Sequence, residues 1–152
     1  MKVDFKRHDS QFKFSQISKL VQSGSLEQAL TECRLLRRDE KKSCFLLNSI
    51  GSIELSLENP TAAVKSFQTA IKINPNFAEA WFNLGNAFVK LSELNSAEKA
   101  YLQAEKLNPN LHQINNNLGN LLADQGKFAQ AIKHFGCASK KTNHLNEEYL
   151  CN

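Results

Sequence analysis

The sequence is poor in residues that break a chain or hold a metal: three Pro and six Gly among 152 residues, one Trp, and four Cys. The cysteines, Cys33, Cys44, Cys137 and Cys151, contain no two-residue spacing, and His8, His112, His134 and His144 form no pair three or four apart. Zinc, redox and other metal chemistry are therefore excluded, and the cysteines read as reduced thiols. No run of 18 apolar residues exists, and Met1 to Phe14 carries Lys2, Asp4, Lys6, Arg7, Asp9 and Lys13 with no apolar stretch behind it. That excludes a membrane span, argues against a secretory signal and makes the expected location cytoplasmic. A Gly-rich phosphate loop, a Ser, His and Asp set in a recognisable context and a paired acidic motif are all missing, so no catalytic residue and no cofactor is expected. Isolated acids such as Glu54, Glu58 and Asp124 read as solvated helix faces.

The excess of one charge sign is confined to the start. Residues 1–43 hold ten Lys or Arg against six Asp or Glu, whereas residues 44–152 hold nine of each. Arg37, Arg38, Lys41 and Lys42 are interrupted by Asp39 and Glu40, which suits a helix end better than a nucleic-acid surface. Asparagine is what the chain has in quantity: 16 residues, more than a tenth of the total. Apolar residues at 41% and charged residues at 22% are those of a folded chain.

Displacing the sequence by 34 residues against itself aligns Gly51, Gly85 and Gly119; Ile50, Leu84 and Leu118; Ala63, Ala97 and Ala131; Phe67, Tyr101 and Phe135; and Ala70, Ala104 and Ala138. Within one unit, Trp81, Leu84, Gly85 and Phe88 fall at i, i+3, i+4 and i+7, and Ala97, Tyr101 and Ala104 at i, i+4 and i+7. Each unit is thus two amphipathic helices. Asn59 before Pro60, and Ser25 with Gln28, mark helix starts, while Pro75 and Pro109 end second helices. The small Gly85 and Ala97 allow close approach, and Trp81, Phe88 and Tyr101 fill the space around it. One pair cannot bury both its apolar faces, so the units must stack.

These motifs resemble the tetratricopeptide repeat (TPR) family. Residues 78–111 carry the whole signature: Trp81, Leu84, Gly85, Phe88, Ala97, Tyr101, Ala104 and Pro109. Residues 112–145 put Asn115 in the Trp place and Asn143 in the Pro place; residues 44–77 put Glu54 where an aromatic is usual. Residues 10–43 read as a degenerate terminal repeat, in which Ile17, Leu20, Gly24, Ala29, Cys33 and Leu36 fit but Lys13 and Gln16 do not. Residues 1–9 are expected to be an N-terminal lead, and residues 146–152 the start of a fifth repeat or a cap helix, with Tyr149 in the Trp place. The resemblance implies an all-α TPR solenoid, a right-handed superhelix of antiparallel helix pairs that works as a non-enzymatic protein-interaction module or scaffold.

In this family the concave surface is lined by first helices. The positions implied as peptide-binding are Asn48, Ser49, Ser52, Phe82, Asn83, Asn86, Asn116, Asn117 and Asn120, with Phe45 and Phe82 either as apolar anchors or as packing between neighbouring helices. One column across repeats is Ser49, Asn83 and Asn117, and the next is Ser52, Asn86 and Asn120. An amide both donates and accepts, so such a ladder would grip polypeptide backbone. It is similar to the Asn ladder in the TPR arms of protein glycosyltransferases, and an N-terminal arm of a larger glycosyl- or sulfotransferase is the alternative it allows. Repeats that clamp chaperone C-termini resemble one another in carrying Lys, Asn, Asn, Lys and Arg. Here the corresponding residues are Phe14, Ser18, Ser49, Glu79 and Asn83, or Asn48, Ser52, Asn83, Gln113 and Asn117 one register later, with no cation in either set. The expected partner is a protein or peptide, neither nucleic acid nor membrane, and a third reading is self-association through the terminal repeats as a homo-oligomer.

Overall fold

The computed structural model describes residues 2–39 and 43–142, and every element among them is helical. The helices are α1 (Lys2–Gln22), α2 (Leu26–Asp39), α3 (Cys44–Ser56), α4 (Pro60–Ile73), α5 (Ala78–Lys90), α6 (Leu94–Leu107), α7 (His112–Asp124) and α8 (Phe128–Thr142). They form two compact units that divide between Pro75 and Asn76, one holding α1–α4 and the other α5–α8. The fifth-repeat residues 146–152 and Asn143 lie outside the described residues, as do Lys41 and Lys42.

Local chemistry sets the boundaries. Asn59 Oδ1 accepts the Ala62 N–H at 3.3 Å with Pro60 in the first turn, and Ser43 Oγ accepts the Leu46 N–H at 3.3 Å, so each supplies an acceptor to an otherwise unpaired helix N–H. α4 and α6 stop at Ile73 and Leu107, just before Asn74–Pro75 and Asn108–Pro109. Arg37 and Arg38 occupy the last turn of α2, where cations offset the helix dipole. One boundary corrects the sequence reading. Residues 2–9, expected as a lead, are the first two turns of α1, because neither Gly nor Pro interrupts the chain between Met1 and Gln22. Inside the repeats a second periodic feature emerges in the turns: Gly24, Glu58, Ser92 and Gly126, spaced by 34, all have positive φ, at 80°, 53°, 60° and 75°.

In the first unit Ile17 of α1, Ala29, Leu30, Cys33 and Leu36 of α2, and Leu46, Ile50 and Ile53 of α3 form one buried cluster. In the second, Ala97, Tyr101 and Ala104 of α6 pack with Ile114, Leu118 and Leu121 of α7, joined by Trp81, Phe82 and Phe88 of α5. The recurrent glycine is a spacer. A Cβ built on Gly51 would lie 2.6 Å from the Phe67 ring, one on Gly85 2.5 Å from the Tyr101 ring, and one on Gly119 against the Phe135 ring. The first repeat inverts this pairing. Ile17 stands in the glycine column and Cys33 in the aromatic column, and both are buried. Large on the first helix and small on the second replaces small on the first and large on the second.

Cys33 and Cys44 are free thiols, whereas Cys137 is disulfide-bonded, which corrects the expectation of reduced thiols at that position. Burial, reinforced by nearby Glu32, raises the Cys33 thiol from its usual 9.0 to about 11. The folded state therefore holds the protonated form. That contribution is complete below the unfolded-state value near 9 and is lost as pH rises through about 11. Thermal melts followed by circular dichroism should show the midpoint falling between pH 9 and 11, and Cys33→Ala should flatten part of that fall.

Glu54 also departs from expectation. It is only 6% exposed, and its carboxylate accepts hydrogen bonds from Arg34 Nη2 at 3.2 Å and Ser66 Oγ at 2.7 Å. At the same two places the next repeat has Phe88 and Ala100. A charge can sit where an aromatic sits elsewhere because both its oxygens are paired. Glu58 and Asp124 are exposed, as expected.

Candidate functional site

The second unit brings amides together. Asn83 and Asn86 lie three apart on α5, and Asn116, Asn117 and Asn120 span one turn of α7; the i, i+3 and i+4 spacing places such residues along a shared helix face. Tyr101 enters from α6, the element between them in the chain. Its hydroxyl donates to Asn86 Oδ1 at 2.7 Å, and Asn117 Nδ2 donates to the same oxygen at 2.8 Å. Asn117 Nδ2 is also 3.4 Å from the Tyr101 hydroxyl oxygen. Both accepting directions of the Asn86 carbonyl are thereby used inside the network.

Above this network is a recess of about 290 Å³ lined by Asn86, Val89, Lys90, Tyr101, Asn117, Asn120, Leu121 and Asp124. Its walls are part apolar and part amide, and its two charged residues are of opposite sign. Burial raises the Tyr101 phenol above its ordinary value, and the hydrogen bond from Asn117 offsets only part of that rise. The hydroxyl therefore stays a proton donor through the neutral range. The Tyr101 ring also meets Phe82 at a centroid distance of 5.9 Å and 40° tilt.

Several expected positions behave differently from the reading that nominated them. Phe82 is half-buried and packs on the core of the second unit, the packing role of the two expected for it. Phe45 is the exposed one, at 64%. Asn48 is buried, 5% exposed, which corrects its place among ligand-facing residues; Asn116 is exposed on α7. Ser49 Oγ donates to the Phe45 carbonyl at 3.1 Å and Ser52 Oγ to the Asn48 carbonyl at 3.0 Å, so both hydroxyl protons on α3 are spent on their own helix. Asn83 and Asn117 are half-buried and Asn120 is exposed.

Sequence reasoning assigned Tyr101 to packing alone and missed its hydroxyl. The signal was present: Phe67 and Phe135 fill the same place in the flanking repeats, so the packing does not require the oxygen. Asn115, in the Trp place, is buried too, with its Oδ1 3.1 Å from His134 Nδ1, and Glu105 Oε1 lies 3.8 Å from the same nitrogen. Among the described residues no group of three or more His, Cys, Asp and Glu is placed to hold a metal ion. No helix among them is long and apolar enough to cross a membrane.

Two further surfaces stand out. A larger, open depression of about 690 Å³ lies along α1 and α2, lined by Gln16, Lys19, Leu20, Glu27, Gln28, Thr31 and Glu32. On α8, Phe128 and Ile132 are 66% and 70% exposed, with Phe135 beyond them at i+7. The place of Phe128 is taken one repeat earlier by Leu94, which packs against the core formed with α7.

Residues 51–92 match a family model described as a TPR repeat, and residues 78–111 match the tetratricopeptide repeat model. The curated proteins offer no significant sequence match. Among solved structures, the chain is similar to MamA, with 20% identity and a TM-score of 0.80 over 87% of this chain and 77% of that one. YrrB, described as a TPR protein with an unusual peptide-binding site, has 20% identity and a TM-score of 0.75 over 87% of this chain and 69% of its own. The first TPR of Spaghetti (RPAP3), bound to the HSP90 peptide SRMEEVD, has 19% identity and a TM-score of 0.73 over 76% of this chain and 92% of its own. At such identities the likeness establishes the fold: this all-α chain carries tetratricopeptide repeats.

Proposed function

We infer that the chain is a protein-interaction module whose second unit receives an extended polypeptide segment along the amide-bearing first helices α5 and α7. The observation that carries this reading is the recess over Asn86, Tyr101 and Asn117, where amides already fixed in orientation border open space. Groups held in place before binding lose little freedom on binding, which is how a shallow polar surface gains useful affinity. Peptide binding by YrrB and by the Spaghetti repeats supports the class of ligand. The HSP90 peptide is acidic, however, and the positions that would clamp a carboxylate here are Phe, Ser, Asn, Gln and Glu. A neutral segment suits the recess better, because Lys90 and Asp124 offset one another at its edge. Neutral contacts summed along two helices correspond to micromolar affinity, about −8 kcal/mol.

Replacing Asn83, Asn86, Asn117 and Asn120 together with Ala should leave the helical circular-dichroism signal in place. The melting point should fall slightly, because the buried Tyr101 hydroxyl loses both its partners, a cost of about 1–3 kcal/mol. Peptide capture should weaken at least tenfold. Undiminished capture by the quadruple variant would contradict the reading.

A further inference from the structure

We propose that the recess between Asn86 and Asn117 is a subsite for a primary carboxamide, the side chain of a glutamine or asparagine in the bound segment. This rests on the peptide-binding reading and goes one step further, to the chemistry of one ligand residue.

Donors and acceptors decide what the recess can hold. Asn86 Oδ1 is taken by Tyr101 Oη and Asn117 Nδ2, which fixes the Asn86 amide with its Nδ2 donors on the other side. Asn117 commits Nδ2 to the same network, which fixes its Oδ1 as the remaining acceptor. Among the described residues, the side-chain polar atoms shut from solvent without a partner are those of Gln125, so Asn86 Nδ2 and Asn117 Oδ1 each keep solvent contact, and both residues line the recess. The two amides that line the recess thus leave one donor, Asn86 Nδ2, and one acceptor, Asn117 Oδ1, for a ligand. A carboxamide has the complementary pair in one planar group: its oxygen receives from Asn86 and its N–H donates to Asn117. A carboxylate of the same shape would satisfy Asn86 but set an acceptor against the Asn117 oxygen, and a methionine of similar length would leave both unpaired.

The walls fit the stem of such a side chain. Val89 and Leu121 supply apolar surface for its methylenes, and about 290 Å³ is room for one side chain, being roughly ten waters' share of liquid. A folded element would not enter. Tyr101 is the positioning residue: its hydroxyl sets which way the Asn86 amide faces, and the flanking repeats manage the same packing with Phe67 and Phe135.

The test is selection from a displayed library of random 12-residue peptides against the intact chain, followed by affinity measurement on synthetic peptides. Selected sequences should be enriched in Gln or Asn at one position. Changing that residue from Gln to Glu, or to Met, should weaken binding about tenfold. In the Tyr101→Phe variant, which keeps the ring shape of Phe67 and Phe135, the Gln-over-Glu ratio should fall to about twofold or less as the amides regain freedom to turn. A purely structural role for the hydroxyl would lower stability and leave that ratio unchanged. Selected peptides that lose affinity with the quadruple Asn variant but show no carboxamide preference would overturn this proposal and leave the groove standing. Failure to select any peptide would remove both.

Discussion

Gly85→Val should destabilise the second unit by about 3 kcal/mol or more, and lower the melting point by about 10 °C. Even a single added carbon on Gly85 would stand 2.5 Å from the Tyr101 ring, and that ring is buried with nowhere to go. Two opposing effects act in Gly85→Ala. Alanine gains up to about 1 kcal/mol in helix propensity, while the clash costs about 1–3 kcal/mol. The net should still be a loss. Gly136 is the matched control, since it lies within α8 and a Cβ there meets nothing within 4 Å. Gly136→Ala should be neutral or stabilising by up to about 1 kcal/mol. Denaturant melts of the three variants decide the matter, and equal behaviour of Gly85→Ala and Gly136→Ala would contradict the spacer role.

The second large effect concerns the first repeat. If Ile17 and Cys33 exchange the large and small roles that Gly85 and Tyr101 hold, restoring one without the other must fail in opposite senses. Cys33→Phe overfills the place beside Ile17 and should cost about 3 kcal/mol. Ile17→Gly empties it and adds the backbone freedom of glycine, for about 4 kcal/mol. The double variant recreates the pairing of the other repeats. Its loss should be at least 2 kcal/mol smaller than the two single losses combined. Additivity within about 0.5 kcal/mol would mean that the two positions do not compensate.

The first repeat reads as degenerate in sequence because Lys13 and Gln16 depart from the signature, and this exchange is not visible there. Ile17 and Cys33 fit the apolar pattern, and only their burial in one cluster shows that large and small have changed places between the two helices. The helix pairs of residues 44–142 were legible because small and aromatic positions repeat with a period that geometry enforces. Polar exceptions were harder. Glu54 reads as a surface acid from its own chemistry, and only the approach of Arg34 and Ser66, 20 residues before and 12 after it, accounts for its burial. The amide site was partly visible for the same reason. Periodicity places Asn83, Asn86, Asn117 and Asn120 on first helices, but whether a side chain is free or committed depends on partners that lie far along the chain. Asn86 to Tyr101 spans 15 residues and Asn86 to Asn117 spans 31. Those bonds fix which end of the Asn86 and Asn117 amides is committed inside the network.

The exposed stripe of Phe128 and Ile132 on α8 offers a competing surface, and a polypeptide captured there would owe nothing to the amides. A titration of the isotope-labelled chain with a library-selected 12-residue peptide, followed through backbone and Asn side-chain amide signals, separates the two directly. Saturable shifts are expected in the side-chain amides of Asn86, Asn117 and Asn120 and in the backbone of α5 and α7. Shifts confined to α8, with those side-chain signals unmoved at saturation, would contradict binding along α5 and α7.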